Sequence, residues 1–537
     1  MTVIKSKLEA KSAEAIENTE QMLESVNEFR EIEKRVIETA KQKEARYRKR
    51  GLLPPRERLA HLLDAGAPFL ELSTLCGYLQ DEDTDGSSAG GNLICGIGYV
   101  GGTQCAVIVD DYLTKGGTLS QLGGMKKQRL MQMALKHKLP VIALAQSGGG
   151  NLKLLGDWFG FSGSGFAQQC HLSAAGVPQI TVVHGSATAG GAYQPGLSDY
   201  VVLIRNQSTM YLAGPPLLKA ATGEIATDEE IGGAQMHAQI AGTADYIAED
   251  DADGIRLARE ITDMLQWKKI IRDKSEASFS EPRYAKQELL SIVPTDSKKP
   301  YDVREILARV IDDSDLLEFK AEYDAGTVCG HIKIKGMACG VIANNAPITA
   351  KGAAKAGQFV QLCEQSGTPL IFLHNTTGFI VGTESEQAGI IKHGAKMIQA
   401  VSNATVTKIS IIVGGSFGAG NYAMCGKGID PDFIFAWPRS VVSVMGPTQA
   451  GSVVRTVAEA KMARAGKVDN SVLDKLEADI RSAMQERSEA LANTARMWDD
   501  GIIDPRDTRD ILAYVLDICA AGRKRQLRPN SFGVGRL

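Results

Sequence analysis

Short apolar runs alternate with glycine-containing turns and longer amphipathic stretches over most of the chain. The apolar runs are rich in Val, Ile and Ala, which is typical of buried strands. They form two series, the first at 106–109, 141–145 and 180–183 and the second at 340–343, 370–373 and 409–413. Strands that alternate with helical stretches predict an α/β fold.

The stretches at the two ends of the pattern are helical in character. Residues 1–50 carry Leu23, Val26, Phe29, Ile32 and Val36 at helical spacing among Glu, Lys and Arg. This pattern predicts an N-terminal extension of one or two surface helices that pack on the body of the protein. Residues 456–498 show a similar amphipathic pattern.

The two series of strands belong to an internal duplication. REILARVIDDSDLLEF at 304–319 resembles RERLAHLLDAGAPFLEL at 56–72, and GGSFGAGNY at 414–422 lines up with GSATAGGAY at 185–193. The matching segments keep their order at an offset of about 229 to 248 residues. We therefore expect a helical extension at 1–50, a first domain at 51–270, a linker at 271–299 and a second domain at 300–537.

Composition and charge exclude several classes of protein. A net charge of −3 on 537 residues gives no global reason to expect binding to nucleic acid or to a membrane surface. The chain has no apolar run approaching the roughly 20 residues of a membrane span, and its charged N-terminus predicts a cytoplasmic protein. The nine cysteines form no C-x-x-C pair and the histidines show no metal-ligand spacing. We interpret the cysteines as small buried side chains and predict no metal.

Each copy carries a strand, then a run of small residues, then a helical stretch. The runs are GSATAGG at 185–191 and GGSFGAG at 414–420. Small residues let a ligand approach the backbone, and a helix that begins there directs unpaired N–H groups toward it. Such groups can stabilise an oxyanion, including the enolate of a thioester. The glycines alone are also compatible with close helix–strand packing, but their recurrence in both copies favours a functional role.

Other motifs fit these segments less well. No G-K-[ST] follows them, and Ser186 and Ser416 lack both the G-x-S-x-G placement and an obvious histidine partner. A second glycine cluster, SGGGN at 147–151, is matched by NTTGF at 375–379, and either a ligand-binding edge or a plain turn explains it. Lys115 and Lys351 precede glycine in loops that we interpret as corresponding. They suit the phosphates of a large anionic cofactor, although ordinary surface lysines are favoured.

The ordered set of motifs resembles the carboxyltransferase (β) subunits of biotin-dependent acyl-CoA carboxylases, in the crotonase-like superfamily. The matching segments run from about residue 30 to the C-terminus and include RERL at 56–59, KGGT at 115–118, SGG at 147–149, AGGAY at 189–193, GP at 214–215, GGA at 232–234 and residues 414–426. The resemblance implies two tandem crotonase-like domains. It also implies an active site between the N-terminal domain of one subunit, which holds acyl-CoA, and the C-terminal domain of another, which holds biotin.

The resemblance assigns roles to particular positions. The oxyanion donors would be the amides of Ala189 and Gly190 for the thioester enolate, and those of Ala419 and Gly420 for the biotin ureido oxygen. The biotin nitrogen would itself take the α- or γ-proton of the substrate. Further contacts are expected from Lys115, Gly148, Gly149 and Gly191 on the acyl-CoA side, and from Gly378, Phe417 and Tyr422 on the biotin side.

The C-terminal half is similar to methylcrotonoyl- and geranyl-CoA carboxylases, notably in GAGNYAMCG at 418–426. Propionyl-CoA enzymes typically carry Asp at the position of Tyr422. The N-terminal half departs from the methylcrotonoyl type in NLKLLGDWFGFSGSGFAQ at 151–168, a stretch that borders the acyl pocket. Gly160, Gly163 and Gly165 are expected to leave room there for a bulky acyl chain.

The chain has neither an A-M-K-M biotin-acceptor pattern nor a module for ATP-dependent biotin carboxylation. The resemblance therefore implies a biotin carboxylase and biotin carrier α subunit as partner, around a homo-oligomeric, hexameric β core. Propionyl- or acetyl-CoA carboxylase β subunits, a biotin-dependent acyl-CoA decarboxylase subunit, a biotin-free hydratase and a non-catalytic scaffold remain alternatives.

Overall fold

A computed structural model describes residues 2–80, 83–149, 160, 162–267, 279–294, 299–466 and 468–535. The backbone contacts divide the chain into two compact units. The N-terminal unit comprises Glu31–Arg272, Ala495–Met497 and Ile518–Leu537, and the C-terminal unit comprises Met1–Arg30, Asp273–Thr494 and Trp498–Asp517. Each unit is thus assembled from several segments, and the domain boundaries at 51–270 and 300–537 stay a prediction.

The N-terminal unit is built on one sheet, with strands numbered along the whole chain. Its strands are β2 Leu70–Leu72, β3 Leu93–Val100, β4 Thr103–Asp110, β5 Val141–Ser147, β6 Gln179–Thr188, β7 Tyr200–Ile204, β8 Thr209–Tyr211 and β9 Tyr246–Ala248. Their order is β2-β3-β4-β5-β6-β7-β9, with β8 paired to the end of β6. The pairs from β2 to β4 are antiparallel, and those from β4 onward are parallel.

The C-terminal unit repeats this sheet. Its strands are β1 Thr2–Val3, β10 Asp315–Phe319, β11 Thr327–Ile334, β12 Met337–Asn344, β13 Leu370–Thr376, β14 Lys408–Phe417, β15 Phe433–Ala436 and β16 Val441–Ser443. The order is β1-β10-β11-β12-β13-β14-β15, with β16 paired to the end of β14. The strands from β12 to β15 are parallel, so their carboxyl ends share one edge of the sheet.

Helices cover both sheets. The α-helices are Ala13–Lys41, Glu44–Arg48, Pro55–Leu62, Gln121–His137, Ser164–Ala175, Tyr193–Gly196, Pro215–Thr222, Asp228–Gly232, Ala234–Gln239, Asp251–Met264, Leu289–Ile292, Val303–Val310, Ala350–Ser366, Thr383–Gln387, Ile390–Asn403, Gly418–Ala423, Pro447–Arg464, Asn470–Ser488, Ala490–Ala495 and Thr508–Lys524. Short 3-10 turns lie at Lys115–Gly117, Ala189–Ala192, Lys286–Glu288, Asp312–Ser314, Lys427–Ile429 and Pro505–Asp507. Within the described residues, no helix combines the length and apolar character needed to cross a membrane.

The α/β prediction and the N-terminal helical extension are confirmed. All six predicted apolar runs lie inside strands, and their residues supply much of the two hydrophobic cores. Eight of the nine cysteines are buried as expected, and burial raises the pKa of Cys95 to about 11. Cys170 is exposed, so the prediction of a buried side chain is wrong at that position.

A buried polar cluster, which we call the Asp251 cluster, joins β5 and β6 to the start of the helix Asp251–Met264. The Asp251 carboxylate accepts hydrogen bonds from Arg58 Nη2 at 3.2 Å and from the Leu53 N–H at 2.6 Å. It also lies 2.7 Å from His184 Nδ1. Arg58 in turn donates to Gln146 Oε1 at 2.7 Å. The members of the cluster are Tyr47, Arg58, Gln146, His184, Gln207 and Asp251.

Contacts within the Asp251 cluster shift the pKa values of its titratable members. Burial and the Arg58 charge lower the pKa of His184 to about 4, so its imidazole is neutral near pH 7. Burial alone would raise the pKa of Asp251, but the hydrogen bond from His184 and the charge of Arg58 outweigh it and lower that pKa to about 2. The carboxylate therefore stabilises the buried guanidinium across the neutral range.

Replacing Asp251 with Asn should destabilise the N-terminal unit by about 3–5 kcal/mol, because Arg58 would then be buried without a countercharge. In the unmutated protein the Asp251 contribution is complete above about pH 4 and is lost between about pH 4 and pH 2, since the folded pKa lies below the unfolded one. Urea unfolding at pH 7 measures the loss. Glu260→Gln, which removes an exposed helix ion pair, is the control and should change stability by less than about 1 kcal/mol. Equal midpoints for the two variants would contradict the prediction.

Candidate functional site

The chain makes the same backbone turn at the ends of β6 and β14. Both strands have ten residues, and both last residues, Thr188 and Phe417, are extended, with φ and ψ of −113° and 144°, and −115° and 145°. The next residue adopts a left-handed conformation in each copy, with φ of 51° at Ala189 and 54° at Gly418. We call residues 188–192 the N-terminal elbow and residues 417–421 the C-terminal elbow. A left-handed alanine is unusual, and such outliers cluster at functional sites.

A glycine from the preceding loop supports each elbow. Gly149 follows β5 with φ of 94°, and an added Cβ would lie 3.1 Å from the carbonyl oxygen of Thr188. Gly378 follows β13 with φ of 110°, and its Cβ would lie 3.2 Å from the oxygen of Phe417. A hydroxyl holds each loop, since Ser147 Oγ accepts from Gly149 N at 3.1 Å and Thr376 Oγ1 accepts from Gly378 N at 3.2 Å. The second glycine cluster therefore belongs to the same edge as the elbows.

The loop after the first parallel strand completes this edge in both units. The N–H of Leu119 donates to the oxygen of Gly149 at 3.1 Å, and that of Ile348 donates to Gly378 at 2.9 Å. Ser120 and Thr349 then cap the following helices. Three loops at the carboxyl ends of neighbouring strands thus converge, which is where open α/β sheets bind ligands.

The matched caps correct one expectation about the lysines. Because Ser120 corresponds to Thr349, Lys351 corresponds to Leu122 and not to Lys115. Lys115 is exposed in the 3-10 turn Lys115–Gly117, whereas Lys351 lies in the first turn of a helix with its ammonium 5.8 Å from the ring centre of Tyr323. The interpretation of the two lysines as a corresponding pair is wrong.

The elbows fix which amides are equivalent. The register pairs Ala189 with Gly418, Gly190 with Ala419 and Gly191 with Gly420. The predicted donor pairs, Ala189 with Gly190 and Ala419 with Gly420, are therefore offset by one residue. They share one structural position, which is Gly190 in the first copy and Ala419 in the second.

That shared position is exposed in both copies. Gly190 and Ala419 are the second residues of their helical turns, where N–H groups have no acceptor within the helix. Among the described residues, none would lie within 4 Å of a Cβ at Gly190. Gly420 is buried instead, and its Cβ would lie 2.7 Å from the Cα of Gly378. Gly190 and Ala419 are thus the candidate donors with open space in front of them.

One pair of side chains was missed at the sequence level. His374 Nδ1 lies 2.9 Å from Ser416 Oγ, which also accepts from Asn421 Nδ2 at 2.8 Å. The expectation that Ser416 has no histidine partner is therefore wrong. Both side chains are fully buried, and burial lowers the pKa of His374 to about 3. The pair braces the C-terminal elbow from behind, and its burial keeps the serine from acting as a nucleophile. The pairing of β13 with β14 brings the two side chains together, and the register of that pairing could not be predicted from the sequence.

Exposed aromatic rings flank the elbows. Tyr193 and Tyr422 occupy equivalent positions and are 41% and 51% exposed. Phe166, on the helix Ser164–Ala175, packs on Tyr193 with ring centres 5.0 Å apart. Phe417, which was expected to contact the cofactor, takes the place that Thr188 holds in the first copy. Each elbow therefore faces a partly apolar surface.

Part of the expected acyl pocket lies outside the described residues. The residues outside the described ranges include Gly150, Asn151 and most of the stretch 151–168. Gly160, Gly163 and Gly165 are described, and among the described residues none would lie within 4 Å of a Cβ at Gly160 or Gly163. The expectation that these glycines leave room for a bulky acyl chain stays a prediction.

Comparison with known proteins places this geometry in context. A family model described as the carboxyl transferase domain matches residues 46–532. The structure of the P. aeruginosa geranyl-CoA carboxylase β subunit is 55% identical, with a TM-score of 0.93 over 100% of both chains. Two Mycobacterium tuberculosis proteins each align over 92% of both chains. One, a probable biotin-dependent acyl-coenzyme A carboxylase β2 subunit, is 43% identical, and the other, a biotin-dependent 3-methylcrotonyl-coenzyme A carboxylase β1 subunit, is 42% identical.

Two glycine-to-alanine changes test the packing of the elbows. Gly420→Ala should destabilise the protein by about 1–3 kcal/mol, because its methyl group would press on the backbone of Gly378. Gly190→Ala should change stability by less than about 0.5 kcal/mol, because the site is open and the second copy already carries alanine there. Thermal unfolding of both variants measures the difference. A Gly420→Ala protein that melts with the unmodified protein would contradict this geometry.

Proposed function

Because the chain belongs to the carboxyl transferase domain family, we propose that it is the carboxyltransferase β subunit of a biotin-dependent acyl-CoA carboxylase. It moves CO2 from carboxylated biotin to the carbon of an acyl- or enoyl-CoA. The observation that carries this proposal is the likeness to the geranyl-CoA carboxylase β subunit, which extends over the full length of both chains. The two elbows supply the chemistry that such a reaction needs.

The first role of the protein is to stabilise charge on the substrate. Removing a proton from an acyl-CoA places negative charge on the thioester oxygen, and a preorganised N–H donor lowers the energy of that enolate. We assign this role to the amides of Ala189 and Gly190, with Gly190 as the principal donor because it is exposed at the start of its turn. No side-chain base is assigned at this elbow.

The second role belongs to the C-terminal elbow. Biotin, when bound, supplies the carboxyl group and then a nitrogen that accepts the substrate proton. The amides of Ala419 and Gly420 are assigned to its ureido oxygen, with Ala419 as the principal donor because Gly420 is buried against Gly378. An exposed first-turn amide beside a half-exposed tyrosine suits a small, flat, carbonyl-bearing ring.

The remaining contacts follow from the loops that support the elbows. We assign Gly148, Gly149 and Gly191 to the approach of acyl-CoA to the N-terminal elbow, and the exposed Lys115 to its phosphates. Gly378, Phe417 and Tyr422 surround the biotin side. Gly149 and Gly378 act mainly through the backbone, since an added Cβ would lie only 3.1–3.2 Å from a carbonyl oxygen of the elbow.

We propose a branched enoyl-CoA of the geranyl or 3-methylcrotonoyl kind as substrate. The named relatives support this class. The partner would be a biotin carboxylase and biotin carrier α subunit, around a hexameric β core. A cytoplasmic location remains a prediction that cell fractionation tests.

Reconstitution with the native α partner tests the proposal. Co-purified complex, ATP and bicarbonate are mixed with geranyl-, 3-methylcrotonoyl-, propionyl- and acetyl-CoA, and carboxylated products are measured by mass spectrometry. We expect geranyl- or 3-methylcrotonoyl-CoA to be carboxylated with the highest kcat/KM. Turnover of the saturated substrates alone would refute the substrate class. Turnover that does not depend on biotin would refute the function.

The Ala419 amide offers a sharp test of the donor assignment. Ala419→Pro removes an N–H of the first helical turn that has no acceptor within the helix, and it should lower kcat about 100- to 1,000-fold. Ala419→Gly keeps the N–H and reproduces the first copy, so it should retain activity within a few-fold. Equal kinetics for the two variants, with unchanged thermal unfolding, would remove Ala419 from the site.

A further inference from the structure

Three polar side chains join the C-terminal elbow to the two strands behind it. Asn421, the last residue of the elbow, donates from Nδ2 to Ser416 Oγ at 2.8 Å. Ser416 Oγ in turn lies 2.9 Å from His374 Nδ1. Ser416 belongs to β14 and His374 to β13, and both side chains are fully buried. We call these three residues the Asn421 network.

A shift in strand pairing brings the network together. β13 and β14 pair in regular register as far as His374 with Ile412, and the next pair joins Thr376 to Ser416. β14 therefore uses four residues for the interval that β13 covers with two, so that it bulges directly before the elbow. The bulge places the Ser416 hydroxyl within reach of the His374 ring.

The network is uncharged near neutral pH and has a defined direction. Burial lowers the pKa of His374 to about 3, against a smaller opposite effect from the backbone of Met424. The Asn421 amide nitrogen can only donate, so Ser416 accepts from it and keeps its own hydrogen for Nδ1 of the neutral imidazole. Because hydrogen bonds weaken steeply away from linear geometry, the two bonds hold the Asn421 side chain in one orientation.

Gly426 makes room for this side chain. The chain returns to the elbow after the helix Gly418–Ala423, where the N–H of Gly426 donates to the main-chain oxygen of Asn421 at 2.8 Å. A Cβ at Gly426 would collide with the side-chain amide of Asn421. The amide is therefore confined between Gly426 and Ser416, and it anchors the end of the helical turn that begins at Gly418.

The N-terminal elbow forms without such a network. The same shift in pairing occurs there, between the pair Ala145 with Val183 and the pair Ser147 with Ala187. Buried alanines replace all three polar residues, with Ala145 in place of His374, Ala187 in place of Ser416 and Ala192 in place of Asn421. Since the turn forms with alanines alone, folding of an elbow does not require the network. Its presence in one copy indicates a requirement that is specific to the C-terminal elbow.

That requirement follows from the charge that this elbow has to stabilise. The ureido oxygen of biotin gains negative charge when the carboxyl group leaves, and the Ala419 N–H is assigned to it. A donor stabilises such charge only if it already points at the oxygen before the reaction. Ala419 is exposed and lies two residues before the anchored Asn421 in the same helical turn.

We propose that Asn421 is a positioning residue for carboxyl transfer, which acts through Ser416 and His374 to fix the direction of the Ala419 N–H. The proposal deepens the function proposed above and rests on it. Asn421 acts on the donor and not on the acyl-CoA, which is assigned to the N-terminal elbow. Its loss should therefore lower kcat and leave the KM for acyl-CoA unchanged.

Steady-state kinetics of the complex with the native α partner tests this role, on the CoA thioester that the unmodified complex carboxylates best. Asn421→Ala, which reproduces Ala192 of the first elbow, should lower kcat about tenfold and change KM less than twofold. Ser416→Ala, which reproduces Ala187, should have the same effect. The double variant should be no slower than either single variant, because each change breaks the same network.

The decisive comparison repeats Asn421→Ala in the Ala419→Pro background. The donor is already absent there, so the additional change should lower kcat less than about twofold. A merely structural role would lower kcat by the same factor in both backgrounds, and that result would overturn the proposal. An unchanged kcat in Asn421→Ala and Ser416→Ala, or a raised KM for acyl-CoA at constant kcat, would also overturn it.

Asn470→Ala is the matched control, because Asn470 is exposed at the start of a different helix, Asn470–Ser488. It should keep both kcat and KM, and a tenfold loss of kcat in this variant would count against the proposal. If the unmodified complex carboxylates no CoA thioester, the proposed function fails and this inference fails with it. If that complex turns over and the Asn421 variants match it, only the inference fails.

Discussion

Each elbow depends on a glycine that lies beside the last carbonyl oxygen of the neighbouring strand, where a side chain would be crowded. At Gly149 and Gly378 φ is 94° and 110°, and an added Cβ would lie only 3.1–3.2 Å from that carbonyl oxygen, so a side chain would be both strained and crowded. The absence of a side chain lets the loop approach the last residue of β6 and β14, directly before the helical turn. Gly190 and Ala419 are exposed in the turns that follow. A site made of main-chain donors needs this rigidity more than it needs any particular side chain.

The two copies share the loops at the carboxyl ends of their parallel strands and differ in the side chains that pack against those strands. In the N-terminal unit an ionised carboxylate, a guanidinium and a neutral imidazole fill the space behind β6 and hold the loop after β5 through Gln146. The C-terminal unit has no such cluster among its described residues at the equivalent place, where Val413 replaces His184 and Asn375 replaces Gln146. There a histidine–serine pair braces the elbow. The duplication thus kept the geometry of the reactive edge and allowed its support to diverge.

The sequence carried the architecture because the strands are apolar, short and repeated. The runs at 180–183 and 409–413 predicted the centres of β6 and β14, although the strands continue through small polar residues to Thr188 and Phe417. Contacts that depend on the register between strands, or on the packing of distant segments, could not be predicted from the sequence. Ser416 meets His374 across 42 residues of sequence, and Asp251 meets Arg58 across 193. The offset between the two predicted donor pairs appeared only when equal dihedral angles aligned Ala189 with Gly418.

The left-handed alanine of the first elbow has a consequence for exchange between the halves. Alanine at φ of 51° carries a conformational penalty of about 1–2 kcal/mol that glycine at the same angle does not. Glycine transplanted from position 418 to position 189 would relax the backbone. The reciprocal graft would add that penalty, together with a methyl group 3.0 Å from the oxygen of Val444. Exchange at this turn is therefore tolerated in one direction only. A chimaera that carries the C-terminal elbow in the N-terminal unit should be more stable than one that carries the N-terminal elbow in the C-terminal unit.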